Sequence, residues 1–288
     1  MSSDTGEQVL AAHLARLRFE VIPLQGIEDE VLAHVPRDMK VTVTVSPTKG
    51  LDPTLDLSER LAGHGYEVVP HISARLVLDD GHVRWILARL KSAGLREVFV
   101  VAGDASVPAG QFAGAADLLR AIAEQGHDLR DIGITGYPES HPLIDDETTI
   151  KAMFEKAKFA TYIVSQICFD ARVTMRWIEG VWARGTRLPI YVGVPGAVGT
   201  TKLVRMSARI GLGDSARFLR KHGTLLGRLL VPGAYSPDKL IRGLEPALRD
   251  PERKVAGFHV FTFNEVEATE RWRRDRLEGL EGLVSRTA

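Results

Sequence analysis

Several protein classes need features that this chain lacks. A single cysteine, Cys168, stands among 288 residues, so no intrachain disulfide forms and a reducing compartment is expected. Lys plus Arg and Asp plus Glu both number 37. That balance gives no basic field to draw nucleic acid or an anionic membrane. No apolar run approaches the roughly 20 residues that a membrane-spanning helix needs. The opening stretch MSSDTGEQVLAAHLARLRFE starts acidic and holds no long apolar core, which argues against a secretory signal and for a cytoplasmic protein. No GxGxxG follows the first strand, so a dinucleotide fingerprint is missing. GAVGTTK at 196–202 departs from phosphate-loop spacing because Leu203 follows Lys202. A barrel can gather His71, His141 and His259, but they form no HxH or HExxH pair, and no metal is expected.

What is present is periodic. At 44% hydrophobic and 26% charged residues the composition is that of a globular protein. Short β-branched runs are read as strands at 17–23, 40–46, 66–71, 97–102, 131–136, 160–166, 188–194 and 257–263. Several are apolar throughout, as strands buried on both faces should be. Amphipathic stretches lie between them, among them DPTLDLSERLAGHG, DGHVRWILARLKSAG and AGAADLLRAIAEQG, each stopping near Gly. Asp52 is read as a cap with Pro53 in the first turn. Eight strand–helix units predict a (β/α)8 barrel formed by residues 1–288 as one catalytic domain; a doubly wound open sheet is the alternative. Residues 195–256 exceed one crossover. TTKLVRMSARIGLG, DSARFLRKHG and SPDKLIRGLEPALRD are read as extra helices between strands seven and eight.

In such a barrel the active site lies at the carboxyl ends of the strands, and the unusual polar residues fall there. Glu20 lies late in strand one, and SPTKG (46–50) follows strand two. PHISA (70–74) and AGDAS (102–106) end strands three and four. TGYPESHP (135–142) and SQICFD (165–170) end strands five and six, GVPGAVGTT (193–201) follows seven, and FTFNE (261–265) ends eight. Each residue has a plainer account. Glu20 within FEVIPL pairs outward with a Lys or Arg, Asp104 makes an Asx-turn, His71 is structural, and Gln166 bonds a neighbouring loop. For Glu20 the alternatives are sharp, because a carboxylate between Phe19 and Val21 is costly inside unless paired or neutralised.

Taken in order, the strand ends resemble the methylenetetrahydrofolate reductase family. The matching segments are FEVIPL, VTVTVSPTKG, VVPHISA, VVAGD, TGYPESHP, IVSQICFD and GFHVFTFNE. The resemblance implies a (β/α)8 barrel that carries FAD, takes hydride from NADH or NADPH and reduces 5,10-methylenetetrahydrofolate to 5-methyltetrahydrofolate. The reverse oxidation and a non-catalytic folate-binding subunit are the alternatives, and a homo-oligomer is left open. By this resemblance Glu20 is the general acid for opening the methylene bridge, a task suited to a carboxyl group kept from water. Asp104 would bond the pterin of tetrahydrofolate and stabilise its developing charge, and Gln166 would bond the pterin's amide edge. Thr44, Ser46, His71, Gly103, Asp104 and Tyr137 would seat the flavin, with His141 reaching its ribityl or phosphate portion. Lys151 and Lys156 stand near the family's basic cluster for the FAD phosphates, where Phe154 and Glu155 replace two of its members. Ala102 replaces the arginine of its Arg-Gly-Asp segment, and 199–201 replace an aromatic after strand seven.

Overall fold

The computed structural model describes residues 3–46, 48–139, 146–199, 201–203, 205, 234–250, 252 and 255–287. Helix α1 (Ser3–Leu14) comes first and was not anticipated. Then β1 (Arg18–Val21), α2 (Ile27–His34), β2 (Lys40–Val43), α3 (Asp52–Gly63), β3 (Glu67–Ser73) and α4 (Asp80–Ser92) follow. Next are β4 (Glu97–Val101), α5 (Ala115–Gln125), β5 (Asp131–Gly136), α6 (Asp146–Ala157), β6 (Tyr162–Ser165), α7 (Ala171–Ala183) and β7 (Ile190–Pro195). Two short strands, β8 (Val198–Gly199) and β9 (Ala234–Tyr235), pair antiparallel, and α8 (Asp238–Arg249), β10 (Val255–Phe261) and α9 (Val266–Thr287) complete the chain.

The eight predicted strands are the eight staves of one closed barrel, in the order β1-β10-β7-β6-β5-β4-β3-β2, with every pairing parallel. A closed ring has no edges, so the open-sheet alternative falls. Alternation explains β1: Phe19 and Val21 are fully buried in the layer beneath the helices, so Arg18 and Glu20 point to the barrel axis. Helices cover the outside with apolar faces, as in α5, which buries Leu118, Leu119 and Ile122. Gly65, Gly94 and Gly126 stand at the predicted helix stops with positive φ. Asp52 is not the cap of α3; the helix begins one residue earlier, with Leu51 at the cap and Asp52 in the first turn, where the helix dipole still favours an acid.

Of the predicted insertion helices, SPDKLIRGLEPALRD forms α8, and residues 201–203 and 205 of the first are helical. The rest of that stretch and DSARFLRKHG lie outside the described residues. Among the described residues, no helix is long and apolar enough to cross a membrane.

Charge closes the amino-terminal end of the barrel. Arg18, Lys40 and Glu97 are the first residues of β1, β2 and β4. Glu97 accepts from Arg18 at 2.8 Å and from Lys40 at 2.5 Å, while the Arg18 guanidinium lies 4.4 Å and 3.7 Å from the ring centres of Tyr162 and Tyr191. Burial alone would push the Glu97 carboxyl up, but the charges of Arg18 and Lys40 outweigh it and hold the group low. Val69, Phe99, Tyr162 and Val164 form an apolar cluster of their own, separate from the core beneath the helices.

Candidate active site

The carboxyl end of the barrel gathers Glu20 from β1, His71 from β3 and His259 from β10. Glu20 Oε2 lies 2.9 Å from His259 Nε2 and 3.8 Å from His71 Nε2. Both imidazoles are buried, whereas the Glu20 side chain keeps 14% of its surface open. The outward-facing account of Glu20 therefore fails, and its compensation inside the barrel is histidine rather than Lys or Arg. Phe99 packs on His71 with ring centres 4.7 Å apart, and Phe261 meets His259 edge-on at 5.0 Å. Burial is the largest influence on His71 and lowers it to about 4, so the ring is neutral at pH 7 although Glu20 beside it works the other way. Three buried polar atoms of this region, His71 Nε2, His259 Nδ1 and Thr42 Oγ1, have no hydrogen-bond partner among the described residues. Native interiors rarely leave such atoms orphaned without a use.

The β10 end is fastened to β1. Thr262 Oγ1 donates to the Glu20 carbonyl at 2.5 Å, and Asn264 brackets Ile22 by accepting from its N–H at 2.7 Å and donating to its carbonyl at 2.9 Å. Phe263 and Asn264 hold φ of 49° and 64°, a left-handed pair rare outside glycine. Their turn delivers Phe263 to a small apolar cluster with Ile167, Val198 and Leu203, flanked by Phe169, Tyr235 and Phe261. Phe261 and Phe263 stack at 6.4 Å, and Phe169 and Tyr235 meet edge-on at 5.9 Å. This aromatic wall arises from β6, β10 and the insertion.

The other expected residues divide into groups. Thr44 and Ser46 are half-buried beyond the end of β2, where the Ser46 and Thr48 hydroxyls lie 3.1 Å apart. Asp104 is exposed on the loop after β4. Burial raises the Tyr137 hydroxyl, a hydrogen bond with Thr135 opposes the rise, and the Asp104 charge adds to it. Among the described residues no contact joins Asp104 to Glu20. Gly103 holds φ of +91°, and a Cβ there would lie 1.8 Å from Ser73 Oγ, so only glycine fits. Gln166 spends its Oε1 on the Ile167 N–H at 2.9 Å; its amide nitrogen has no partner among the described residues. Lys151 is exposed on α6. Lys156 on the same helix is buried with its ammonium donating to Thr135 Oγ1 at 3.0 Å, and burial lowers it to about 8. His141 lies outside the described residues.

Sequence reasoning considered His259 only as a metal ligand and overlooked Arg75 and Asn264. Arg75 pins the Asp104 loop: its guanidinium donates to the carbonyls of Ala105 at 2.8 Å and Ala113 at 3.0 Å, and its N–H to that of Ala102 at 3.0 Å. Its one legible signal was an arginine just past a strand end. Cys168 is buried and donates to Glu139 Oε1 at 3.2 Å; burial, then that carboxylate, push its thiol up to about 12, so it is no nucleophile.

A family model described as methylenetetrahydrofolate reductase matches residues 32–211, more than half of the chain. The methylenetetrahydrofolate reductase 1 of Schizosaccharomyces pombe is 31% identical over 116 residues, which are 38% of this chain and 19% of that protein. A probable methylenetetrahydrofolate reductase (NADPH) of Caenorhabditis elegans is 29% identical over 133 residues, 42% of this chain and 19% of that one. The match to this chain thus spans about a fifth of the length of either curated relative. Among solved structures, a Yersinia pestis DHPS with a pterine-sulfa conjugate shares 12% identity over 92% of this chain and 93% of its own, with a TM-score of 0.44.

Proposed function

The chain belongs to the methylenetetrahydrofolate reductase family, and from that premise we propose that it reduces 5,10-methylenetetrahydrofolate to 5-methyltetrahydrofolate with hydride drawn from NADH or NADPH. The observation that carries the reading is the 2.9 Å contact between Glu20 and His259. One hydrogen lies on that line whether the acid donates to the imidazole or the imidazole to the carboxylate. Only in the first arrangement is that hydrogen an acidic proton that Glu20 can give up, inside a barrel mouth that also offers an aromatic wall.

Reduction of the substrate has two requirements. The departing ring nitrogen must gain a proton so that the methylene bridge opens to an iminium, and the iminium carbon must then gain a hydride. Glu20 supplies the proton, and its partly open side chain keeps it reachable. His259 fixes the carboxyl orientation, the carboxylate left behind regains a proton from solvent through its open side, and neutral His71 puts no positive charge next to the cation that forms. Asp104 would place a carboxylate at the pterin edge, opposite the developing charge. Gln166 would offer its unengaged amide nitrogen to a pterin carbonyl.

The residues fit the ring portion of FAD. Thr44, Ser46, Gly103, Asp104 and Tyr137 would supply hydroxyls, backbone groups and a carboxylate to it, and the orphaned polar atoms His71 Nε2, His259 Nδ1 and Thr42 Oγ1 support that reading. For the phosphates, Lys151 is open to solvent, whereas Lys156 is turned to Thr135. Bound FAD would accept hydride from the nicotinamide and pass it on. The test separates the two halves. Glu20→Gln should retain nicotinamide oxidation with an artificial electron acceptor but lose folate reduction by about 10²–10⁴-fold. Equal loss of both would make Glu20 a structural residue. A protein that stays colourless and inactive with added FAD would remove the flavin from the scheme.

A further inference from the structure

We propose that Glu20, His71 and His259 form a binding site for one divalent cation of the zinc class. The three facing atoms, Glu20 Oε2, His71 Nε2 and His259 Nε2, lie within 4.8 Å of one another. A triangle with sides of 2.9, 3.8 and at most 4.8 Å has a point no more than about 2.4 Å from every corner. Zinc bonds to nitrogen and carboxylate oxygen run about 2.0–2.2 Å, so side-chain shifts of a few tenths of an ångström complete the site.

The chemistry of the donors agrees with the spacing. Two imidazoles and one carboxylate, with a position left for water or substrate, suit zinc, cobalt or iron rather than magnesium or calcium, which take oxygen ligands. An independent observation points to a ligand. His71 Nε2 is buried, faces the other two groups and has no hydrogen-bond partner among the described residues. A cation would satisfy that nitrogen. Both histidines are sealed from solvent and set by aromatic neighbours, Phe99 beside His71 and Phe261 beside His259, so the rings are preorganised. Only Glu20 keeps a path to the mouth, which gives the ion its way in.

A functional consequence follows and rests on the proton-donor reading of Glu20. An ion on Glu20 Oε2 and His259 Nε2 would occupy the two atoms between which the 2.9 Å contact runs. With its carboxyl group on the metal, Glu20 could not act as the proton donor, and the ion would act as an inhibitor rather than as a catalyst.

Cobalt(II) titrated into the metal-free full chain is the probe. The expected result is one visible band of four- or five-coordinate cobalt that saturates at one ion per chain and is bleached by excess zinc. Glu20→Gln and His259→Ala should each weaken it by at least about tenfold, the loss typical even of a merely supporting residue. Glu20→Gln preserves side-chain shape, so the test survives if His259→Ala folds poorly. The partly exposed His34–Glu30 and His64–Glu28 pairs are the competing surface sites, and His64→Ala should leave the band unchanged. No band, or a band indifferent to Glu20→Gln, overturns the site. Zinc that binds at the triad without slowing folate reduction overturns the proton-donor role instead.

Discussion

Lys156 offers the most quantitative test. The residue is 7% exposed, and among the described residues its ammonium meets only the carbonyl and hydroxyl of Thr135 and pairs with no carboxylate. Burial moves it from 10.5 to about 8, which corresponds to roughly 3 kcal/mol borne by the charged form in the folded protein. Above pH 10.5 folded and unfolded chains both carry a neutral lysine. Between about 8 and 10.5 only the unfolded chain is protonated, so stability climbs with pH across that window. Below about 8 both are charged and the full cost of burial is felt. Lys156→Met keeps much of the side-chain volume and removes the charge, but gives up the contacts to Thr135, worth about 1 kcal/mol. The variant should therefore be more stable than the parent by about 1–2 kcal/mol at pH 7, with the gain vanishing by pH 10. Urea unfolding followed by circular dichroism at pH 7, 8.5 and 10 measures this. A parent whose stability does not rise between pH 8 and 10, or a variant less stable at pH 7, would show that burial of the Lys156 charge carries no such cost.

Two further outcomes concern the scaffold. Glu97→Gln removes the charge that neutralises Arg18 and Lys40 at the barrel base. It should cost about 3 kcal/mol, because a buried cation is left without its partner, and an unfolding free energy within 0.5 kcal/mol of the parent would contradict the network's role. Gly103→Ala forces a side chain into the left-handed region and against Ser73 Oγ. It should cost at least about 1–2 kcal/mol from the backbone alone, with partial recovery in the double variant Ser73→Gly/Gly103→Ala; thermal melts that superimpose on the parent's would refute it.

The strands were legible because their signal is local. Runs such as EVFVV at 97–101 and YIVS at 162–165 are apolar on both faces only when both faces are buried, and eight of them between amphipathic stretches leave little but a parallel barrel. Their bounds drifted by a few residues, since β-branched runs continue past the last ladder bond, as at Ile22 and Pro23 after β1. Helix α1 was missed because its short apolar pattern, Leu10 and Leu14, is completed only by packing against α8 and α9.

The fold class and the family were legible in the chain alone, because both depend on residues near one another in sequence. Tertiary closure decided the rest. Glu20 and His259 are 239 residues apart, and only the pairing of β10 with β1, in register Glu20 with Phe261, brings carboxyl and imidazole together. The same closure turned Lys156 inward and set Arg18 against Glu97, 79 residues away. Periodicity records which face of an element is buried. It cannot record which polar group waits on the far side of the barrel, because that depends on the ring being shut.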